Sequence, residues 1–368
     1  MNAGEGVRAE AARLRAFFEA AGATPVETDI LQPAATLLDL YGEDIRARAY
    51  VTHDPLRGEL MLRPDFTVPV AQMHMAGGTE PARYTYAGKV FRAQERETGR
   101  PSEYFQVGYE VFDRDDPAAA DAGVFALFSE ALSPLGVRAA TGDLGILMDA
   151  VRGLRTTEER KAALMRHIWR PRRFRALLDR FSGRVPLPPA RRQILEKLAG
   201  RGADGMIAEM APVPGLRGAA EIAERLETLR TDAAAPPIGR EEAGVLDRIL
   251  DLRATAPEAL ARLRELAAEA PQIGPAVARM AARLEAMAAR GIEVSGLEFS
   301  GSHGRTTLEY YDGFVFGFAA PARPDLPPVA TGGRYDALTR VLGRGRAVPA
   351  VGGVIRPHLA VVLGRGGE

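Results

Sequence analysis

The sequence predicts an α+β fold, in which antiparallel strands and helices occupy separate stretches and a long helical segment interrupts the core. Two strand-like arms flank a charged loop between Tyr84 and Phe112, as in a β-hairpin. Strands and helices do not alternate regularly, which argues against a parallel βαβ sheet. After about residue 150 the chain becomes rich in Ala, Leu, Arg and Glu with helical periodicity. We therefore expect the first part of a core domain at 1–150, a helical insertion at 151–290 and the second part of the core at 291–368.

The individual elements follow from local patterns along the chain. Apolar residues at helical spacing, followed by Gly22, predict an N-terminal helix. Thr156 and Glu159 have the spacing of a capping box, and Gly291 ends the last helix of the insertion. In chain order we expect a helix at 5–21, strands at 48–51 and 59–63, the hairpin at 84–112, helices at 121–135, 156–169, 256–268 and 275–289, and strands at 292–294 and 308–318.

Composition limits the classes of function that this chain can have. The 368 residues contain no cysteine, which excludes disulfides, thiolate nucleophiles and cysteine-ligated zinc. The five histidines show no paired metal-ligand spacing, so we expect no metal site. The formal net charge is zero, whereas binding to nucleic acid favours a basic surface, so we expect no nucleic-acid partner. The first residues lack the apolar core of a signal peptide, and no run of 18 apolar residues occurs, so we expect a cytoplasmic protein without membrane contact.

One face of the second hairpin arm carries the polar groups that first indicate a site. With the two-residue period of a strand, Gln106, Gly108 and Glu110 fall on one side, and apolar and aromatic residues fall on the other. The glutamine and the glutamate would form a polar floor with open room above Gly108, which suits a small polar molecule. The alternative is a half-exposed strand whose polar residues face water.

Four short segments carry a family resemblance: LRPDFT at 62–67, YTYAGKVFRAQERETGRPSEYFQVGYEVF at 84–112, EYY at 309–311 and TGGRYD at 331–336. They resemble elements of the class II aminoacyl-tRNA synthetases, in the version found in histidyl-tRNA synthetases. Segment 24–33 resembles motif 1 of that superfamily, which forms its dimer interface. The resemblance implies the class II synthetase fold and self-association as a dimer.

The resemblance also implies a pocket for histidine. In that family one acid accepts from the substrate α-ammonium, a glutamine serves the amino-acid backbone, and a second acid takes the imidazole N–H; here these are Asp65, Gln106 and Glu110. A tyrosine reaches the opposite ring nitrogen and corresponds to Tyr311, which suits neutral imidazole because its ring offers one donor and one acceptor. The alternative is that the two acids make structural hydrogen bonds only. The residues expected to bind histidine are Asp65, Thr67, Gln106, Glu110, Tyr310 and Tyr311.

The arginines that a synthetase uses to activate histidine are only partly present. Arg92 and Arg100 match the phosphate-side arginines of motif 2. By the same resemblance Thr306 and Leu359 stand where two further arginines belong, and Arg356 is out of register with the second. Each such contact contributes about 2.7–4 kcal/mol to a transition state, so we expect no adenylation and no catalytic residues. The chain also ends soon after Leu359, where an anticodon-binding domain would follow, so we do not expect tRNA charging.

A histidine pocket without its reaction resembles the family of ATP phosphoribosyltransferase regulatory subunits. The resemblance implies a non-catalytic protein that assembles with the short-form catalytic subunit in the first step of histidine biosynthesis. It also implies a hetero-oligomer with feedback regulation by histidine, histidine as the regulatory ligand, and no cofactor. Segment 298–307, rich in Gly and Ser, is expected to order over the ligand as a loop. Two alternatives remain: a truncated enzyme that forms histidyl-adenylate, and a scaffold paralogue with a vestigial pocket.

Overall fold

The chain folds into two compact units in a computed structural model. The first unit combines Met1–Leu147 with Ile249–Glu368, and the second is formed by Met148–Arg248. Two stretches that are far apart in sequence therefore build one unit. The structure describes residues 3–34, 49–94, 101–209, 218–305 and 310–365.

The strands of the first unit form two sheets. In chain order the strands are β1 (Thr24–Pro25), β2 (Leu31–Pro33), β3 (Val51–Asp54), β4 (Gly58–Leu62), β5 (Ala82–Phe91), β6 (Glu103–Phe112), β7 (Arg138–Asp143), β8 (Arg253–Thr255), β9 (Glu298–Ser300), β10 (Phe314–Ala319), β11 (Ala330–Arg334) and β12 (Ala350–Ile355). The main sheet has nine strands in the order β1-β5-β6-β12-β11-β10-β7-β9-β8, and the small sheet has the order β2-β4-β3. The pairs β1–β5 and β7–β9 are parallel, and the other pairs are antiparallel. This mainly antiparallel arrangement agrees with the predicted α+β class.

Helices occur in both units, between the strands of the first unit and throughout the second. In chain order they are α1 (Ala3–Ala20), α2 (Thr67–Gly77), α3 (Pro117–Leu132), α4 (Leu144–Arg152), α5 (Glu158–Arg166), α6 (Pro171–Phe181), α7 (Pro189–Glu209), α8 (Ala219–Ala234), α9 (Arg240–Asp251), α10 (Ala256–Glu269), α11 (Gly274–Ala288), α12 (Asp336–Leu342) and α13 (Pro357–Arg365). Among its described residues the second unit contains no strand. None of the helices in the described ranges has the length and apolar character needed to cross a membrane.

The predicted end of the helical insertion at residue 290 is wrong, because residues 249–290 belong to the first unit. Strand β8 pairs with β9 in the main sheet. Arg283 of α11 forms buried ion pairs with Asp121 of α3 and Asp143 of β7. Helical periodicity does not distinguish a helix of an insertion from a helix that packs on the core sheet. The compact helical unit ends at Arg248 instead.

Three local predictions also need correction. Residues 292–294 form no strand; the strand is β9, which starts the segment 298–307 that was expected to be a loop. Strand β9 is stable there because it pairs with β7 on one side and β8 on the other. Helix α5 is capped by the Thr157 side chain, which accepts from the backbone N–H of Arg160, and not by Thr156. The predicted strands at 48–51 and 308–318 fall partly outside the described residues.

The apolar face of β6 packs against helices of the first unit. The ring of Phe18 in α1 stacks on Tyr109, with ring centroids 5.2 Å apart, and approaches Phe128 of α3 at 5.4 Å. Burying a side chain of this size contributes about 1.5–3 kcal/mol. The packing fixes the orientation of the strand, because a slip of one residue would exchange its two faces. Gln106 and Glu110 therefore point to the opposite face.

Candidate functional site

The carboxylate of Glu110 lies at the centre of the candidate site and is fully buried. Its Oε1 accepts hydrogen bonds from Thr67 Oγ1 and from the Tyr86 hydroxyl, both at 2.8 Å. Its Oε2 accepts one from the Tyr335 hydroxyl at 2.7 Å. The donors come from the first turn of α2, from β5 and from the residue before α12. Three separate stretches of the chain thus converge on one acid.

Burial raises the pKa of Glu110 to about 7, because removal from water disfavours the charged form. The three hydroxyl donors oppose this shift, since they stabilise the carboxylate, and the nearby Asp65 adds to it. A carboxylate offers about four acceptor positions, and hydroxyls of the described residues fill three of them. Within the described chain, Glu110 therefore retains one acceptor position for a further donor.

Two glycines make room for this arrangement. Gly108 lies directly opposite Tyr86 in the hairpin, and a Cβ at Gly108 would overlap the tyrosine ring. Gly352 of β12 lies opposite Glu110, and a Cβ there would overlap Oε2. The predicted open room above Gly108 is therefore wrong, because Tyr86 leans across it to reach Glu110. Sequence reasoning missed Tyr86, although its position opposite Gly108 in the hairpin register was the signal that could have identified it.

Gln106 is a polar side chain that its surroundings leave unsatisfied. It is fully buried on the same face of β6 as Glu110. Neither its amide nitrogen nor its amide oxygen has a hydrogen-bond partner among the residues that the structure describes. An unpaired buried polar group costs about 1–3 kcal/mol. The alternative of a polar strand face exposed to water is wrong, and a ligand with both a donor and an acceptor would satisfy this amide.

Asp65 and Thr67 lie where the chain enters α2, and both are buried. Asp65 Oδ1 accepts from the backbone N–H of Val68 at 3.4 Å, which leaves the carboxylate close enough to Glu110 to affect its pKa. Thr67 directs its hydroxyl to Glu110. The structure thus places the two acids within electrostatic range of each other, and the Thr67 hydroxyl supports one of them.

The two predicted tyrosines complete the cluster. Tyr310 and Tyr311 are buried, with ring centroids 4.9 Å apart, and the ring of Tyr310 lies 6.0 Å from that of Tyr335. Burial raises the pKa of Tyr311, and the neighbouring carboxylates of Glu110 and Asp65 raise it further. All six predicted residues therefore meet around one face of β6, and their binding of histidine stays a prediction. We use the term Glu110 cluster for Asp65, Thr67, Tyr86, Gln106, Glu110, Tyr310, Tyr311 and Tyr335.

Of the two arginines expected on the phosphate side, Arg92 and Arg100, the structure describes only Arg92. The guanidinium of Arg92 lies 5.9 Å from the centre of the Tyr104 ring. Arg100 and Thr306 lie outside the described residues. Leu359 is buried in α13, so an apolar side chain fills the position that the family resemblance assigns to an arginine.

Two surface clefts contain no residue of the Glu110 cluster. One of about 420 Å³ runs between α10 and α11 and is lined mainly by small apolar side chains. The other, of about 210 Å³, lies between α5 and α8 and is lined by acidic and threonine side chains. No grouping of His, Asp and Glu within the described ranges is suited to a metal ion. We assign the site by its chemistry, since the Glu110 cluster combines buried acids with the unsatisfied amide of Gln106.

Comparison with known proteins identifies the family. The model of the histidyl-tRNA synthetase family matches residues 4–236 and 231–358, which include the whole Glu110 cluster. Over 366 residues the chain is 34% identical to an ATP phosphoribosyltransferase regulatory subunit from Brucella anthropi, and the match covers 92% of this chain and 93% of that protein. The chain belongs to this histidyl-tRNA synthetase-like family of regulatory subunits. A protein of the same name from Mesorhizobium japonicum is 33% identical over 371 residues, covering 93% of this chain and 94% of its own length.

A solved structure supports the fold. A crystal structure from Bacillus halodurans, described as an ATP phosphoribosyltransferase regulatory subunit/histidyl-tRNA synthetase, superposes with a TM-score of 0.67. The superposition covers 98% of this chain and 79% of that chain at 21% sequence identity. The predicted class II synthetase fold is therefore confirmed.

Proposed function

We propose that the chain is a non-catalytic regulatory subunit of ATP phosphoribosyltransferase that binds free histidine at the Glu110 cluster. The main support for a bound ligand comes from one observation. The side chain of Gln106 is fully buried and has no hydrogen-bond partner in the described chain. The regulatory role is supported by the family. Relatives that share a third of the sequence over almost the whole chain are named ATP phosphoribosyltransferase regulatory subunits.

Histidine matches the chemistry of the cluster group by group. Its imidazole N–H would fill the remaining acceptor position of Glu110, and the Tyr311 hydroxyl would donate to the other ring nitrogen. Asp65 would accept from the α-ammonium, and the amide of Gln106 would gain partners on the amino-acid backbone. Each charge-assisted hydrogen bond contributes on the order of 1.5–3 kcal/mol, so these contacts together favour histidine over apolar amino acids.

The same site lacks the means to activate histidine. By the family resemblance Leu359, which is buried, stands in place of one arginine, and Thr306 stands in place of another. Loss of two such contacts removes several kcal/mol of transition-state stabilisation. Histidine therefore acts as a signal and not as a substrate.

The partner in this proposal is a short-form catalytic subunit, in a cytoplasmic hetero-oligomer that contains a dimer of this chain. Histidine binding would favour one arrangement of the complex. A coupling of about 1–3 kcal/mol between the histidine site and the catalytic subunit changes affinity about 5- to 150-fold, which suffices for feedback control of the first step of histidine biosynthesis. No nucleic acid, membrane, metal or cofactor takes part.

Reconstitution tests this proposal. The chain is co-expressed with the catalytic subunit from the same genome, and phosphoribosyltransferase activity is measured with and without histidine. We expect co-purification, a rise in activity over the catalytic subunit alone, and a response to histidine. Absence of both co-purification and activation would contradict the regulatory role. Histidine-dependent pyrophosphate–ATP exchange would favour an adenylate-forming enzyme, and activation without histidine binding to this chain would favour a scaffold.

A further inference from the structure

The register of β12 against β6 places Arg356 opposite Gln106, on the face of the main sheet that carries Glu110. Strands β12 and β6 pair antiparallel, and the last pair is Ile355 opposite Val107. The next residue, Arg356, therefore lies across from Gln106. Paired residues of neighbouring strands direct their side chains to the same face, so Arg356 belongs to the face that carries Glu110. The sequence comparison gave it no role, because it is out of register with the family's arginine.

Among the described residues, every hydrogen-bond partner of the Arg356 guanidinium is an uncharged group. Its Nη1 donates to the carbonyl oxygen of Pro328 at 2.7 Å, and its Nη2 lies 3.5 Å from Thr331 Oγ1. The Tyr104 hydroxyl is a third hydrogen-bond partner. Burial lowers the pKa of Arg356, and the positive charge of Arg92 lowers it further. A partly buried arginine is normally paired with an anion, and the part of the chain that the structure describes supplies none to Arg356.

Arg92 brings a second positive charge to the same place. Its Nε donates to the carbonyl oxygen of Pro64 at 2.9 Å, which ties it to the residue before Asp65. Its guanidinium also lies 5.9 Å from the centre of the Tyr104 ring, and Tyr104 contacts Arg356 as well. Two arginines therefore converge on one tyrosine at the edge of the cluster.

Arg356 and the two acids of the cluster act electrostatically on the same side chain, Tyr311. Tyr311 interacts electrostatically with Glu110, Asp65 and Arg356. Tyr311 therefore lies within electrostatic range of an acidic end of the cluster, Glu110 and Asp65, and of a cationic end, Arg356. A small molecule that reaches both ends must carry a positive and a negative group, as the ammonium and the carboxylate of a free amino acid do.

We propose that Arg356, assisted by Arg92, binds the α-carboxylate of the amino acid held by the Glu110 cluster. This assignment rests on the proposed histidine site and adds the group that makes the site specific for a free amino acid. A guanidinium offers a planar fork that can donate two parallel hydrogen bonds to a carboxylate. The arginine that selects the free acid comes from the end of β12, a position that the family resemblance does not point to.

The test compares L-histidine with L-histidinol, which keeps the imidazole and the ammonium but has an alcohol in place of the carboxylate. Calorimetric titration of the wild-type protein should show about 10- to 100-fold tighter binding of histidine, as expected for one charge-assisted contact. In Arg356→Gln this preference should fall towards one, because histidine binding weakens while histidinol binding does not. The control is Arg340→Gln, an exposed arginine of α12, which should keep the wild-type preference.

Arg356→Lys keeps the positive charge and tests the assignment if Arg356→Gln does not fold, since the glutamine variant also alters the contacts to β11. We expect an intermediate preference in the lysine variant, because an ammonium cannot form the paired bonds of a guanidinium. Equal affinities of the wild-type protein for both ligands would overturn the assignment, as would an unchanged preference in the Arg356 variants. A wild-type protein that binds neither ligand would instead overturn the proposed histidine site.

Discussion

The buried carboxylate of Glu110 makes the stability of the protein depend on pH. Its pKa is raised to about 7 in the folded chain from an ordinary value of 4.5. Between these values the folded state holds a proton that the unfolded state has lost, so the free energy of unfolding should fall as pH rises from about 4.5 to 7. The full effect is on the order of 3.4 kcal/mol at most, because each unit of pKa corresponds to about 1.4 kcal/mol. Urea unfolding across this range should show a shallower pH dependence in Glu110→Gln than in the wild type.

Asp312 provides the internal control for that experiment. Burial raises its pKa to about 7 as well, and its carboxylate accepts from the backbone N–H groups of Asp336 and Ala337 at the start of α12. It is unchanged in Glu110→Gln, so only the difference between the two pH profiles belongs to Glu110. Profiles that differ by a constant amount at every pH would contradict the raised pKa of this acid.

Single residues of the site differ in how far the sequence predicts them. Gln106 and Glu110 follow from the strand period and the family resemblance, because both depend on local spacing. Tyr86 and Arg356 do not, because each reaches the site only through the register between two strands. The register of β5 against β6 can be worked out only once the two arms of the hairpin are aligned across their loop, and the long separation of β12 from β6 leaves no local signal for the second register. Gly108 was misread for the same reason, since its empty position is filled by a side chain from the neighbouring strand.

A buried ion network connects two helices and two strands of the first unit. Arg334 of β11 donates through Nε and Nη2 to Asp121 of α3 at 3.0 and 2.7 Å. Arg283 of α11 reaches Asp121 at 3.3 Å and Asp143 of β7 at 2.8 Å. All four side chains are almost fully buried. The network fixes β11, and Tyr335 follows directly after this strand, so it holds one of the hydroxyl donors of Glu110 in place.

Removal of one member of this network should be strongly destabilising. In Arg283→Met the carboxylate of Asp143 loses its cationic partner inside the protein, which typically costs about 3–5 kcal/mol. Arg323→Gln is the matched control, because Arg323 forms an exposed ion pair with Asp325, and such pairs contribute at most about 1 kcal/mol. Urea denaturation of both variants measures the difference. Similar losses in the two variants would show that the buried network contributes no more than a surface pair.

Elements with a strong local signal were predicted well, and those defined by distant contacts were not. Helix α1 and the hairpin of β5 and β6 lie close to their predicted ranges, because apolar periodicity and the loop between the arms are local features. Strand β9 was missed, since three residues carry little signal and its partners β7 and β8 come from other parts of the chain. The sequence places helices α10 and α11 in the insertion, because the spacing of their apolar residues is the same whether a helix packs on the core sheet or on other helices.

At the scale of the whole molecule, the site depends on the return of the chain to the first unit. Thr67, Gln106 and Glu110 come from the first stretch of that unit, and Tyr311 and Tyr335 come from the second. The Glu110 cluster is therefore complete only when both stretches have folded together. A ligand that contacts both stretches would stabilise the unit by a free energy that grows with the logarithm of its concentration divided by its Kd, which offers a physical route from histidine binding to a change in the assembled protein.

Direct titration of L-histidine into the purified chain tests the central claim, that the Glu110 cluster holds a free amino acid. We expect one histidine bound per wild-type chain and at least about 10-fold weaker binding in Gln106→Leu, which replaces the amide with an apolar group of similar size. Gln193→Leu, at an exposed position of α7, should bind as the wild type does. Equal affinity of the wild type and Gln106→Leu, or no binding by the wild type, would contradict the account.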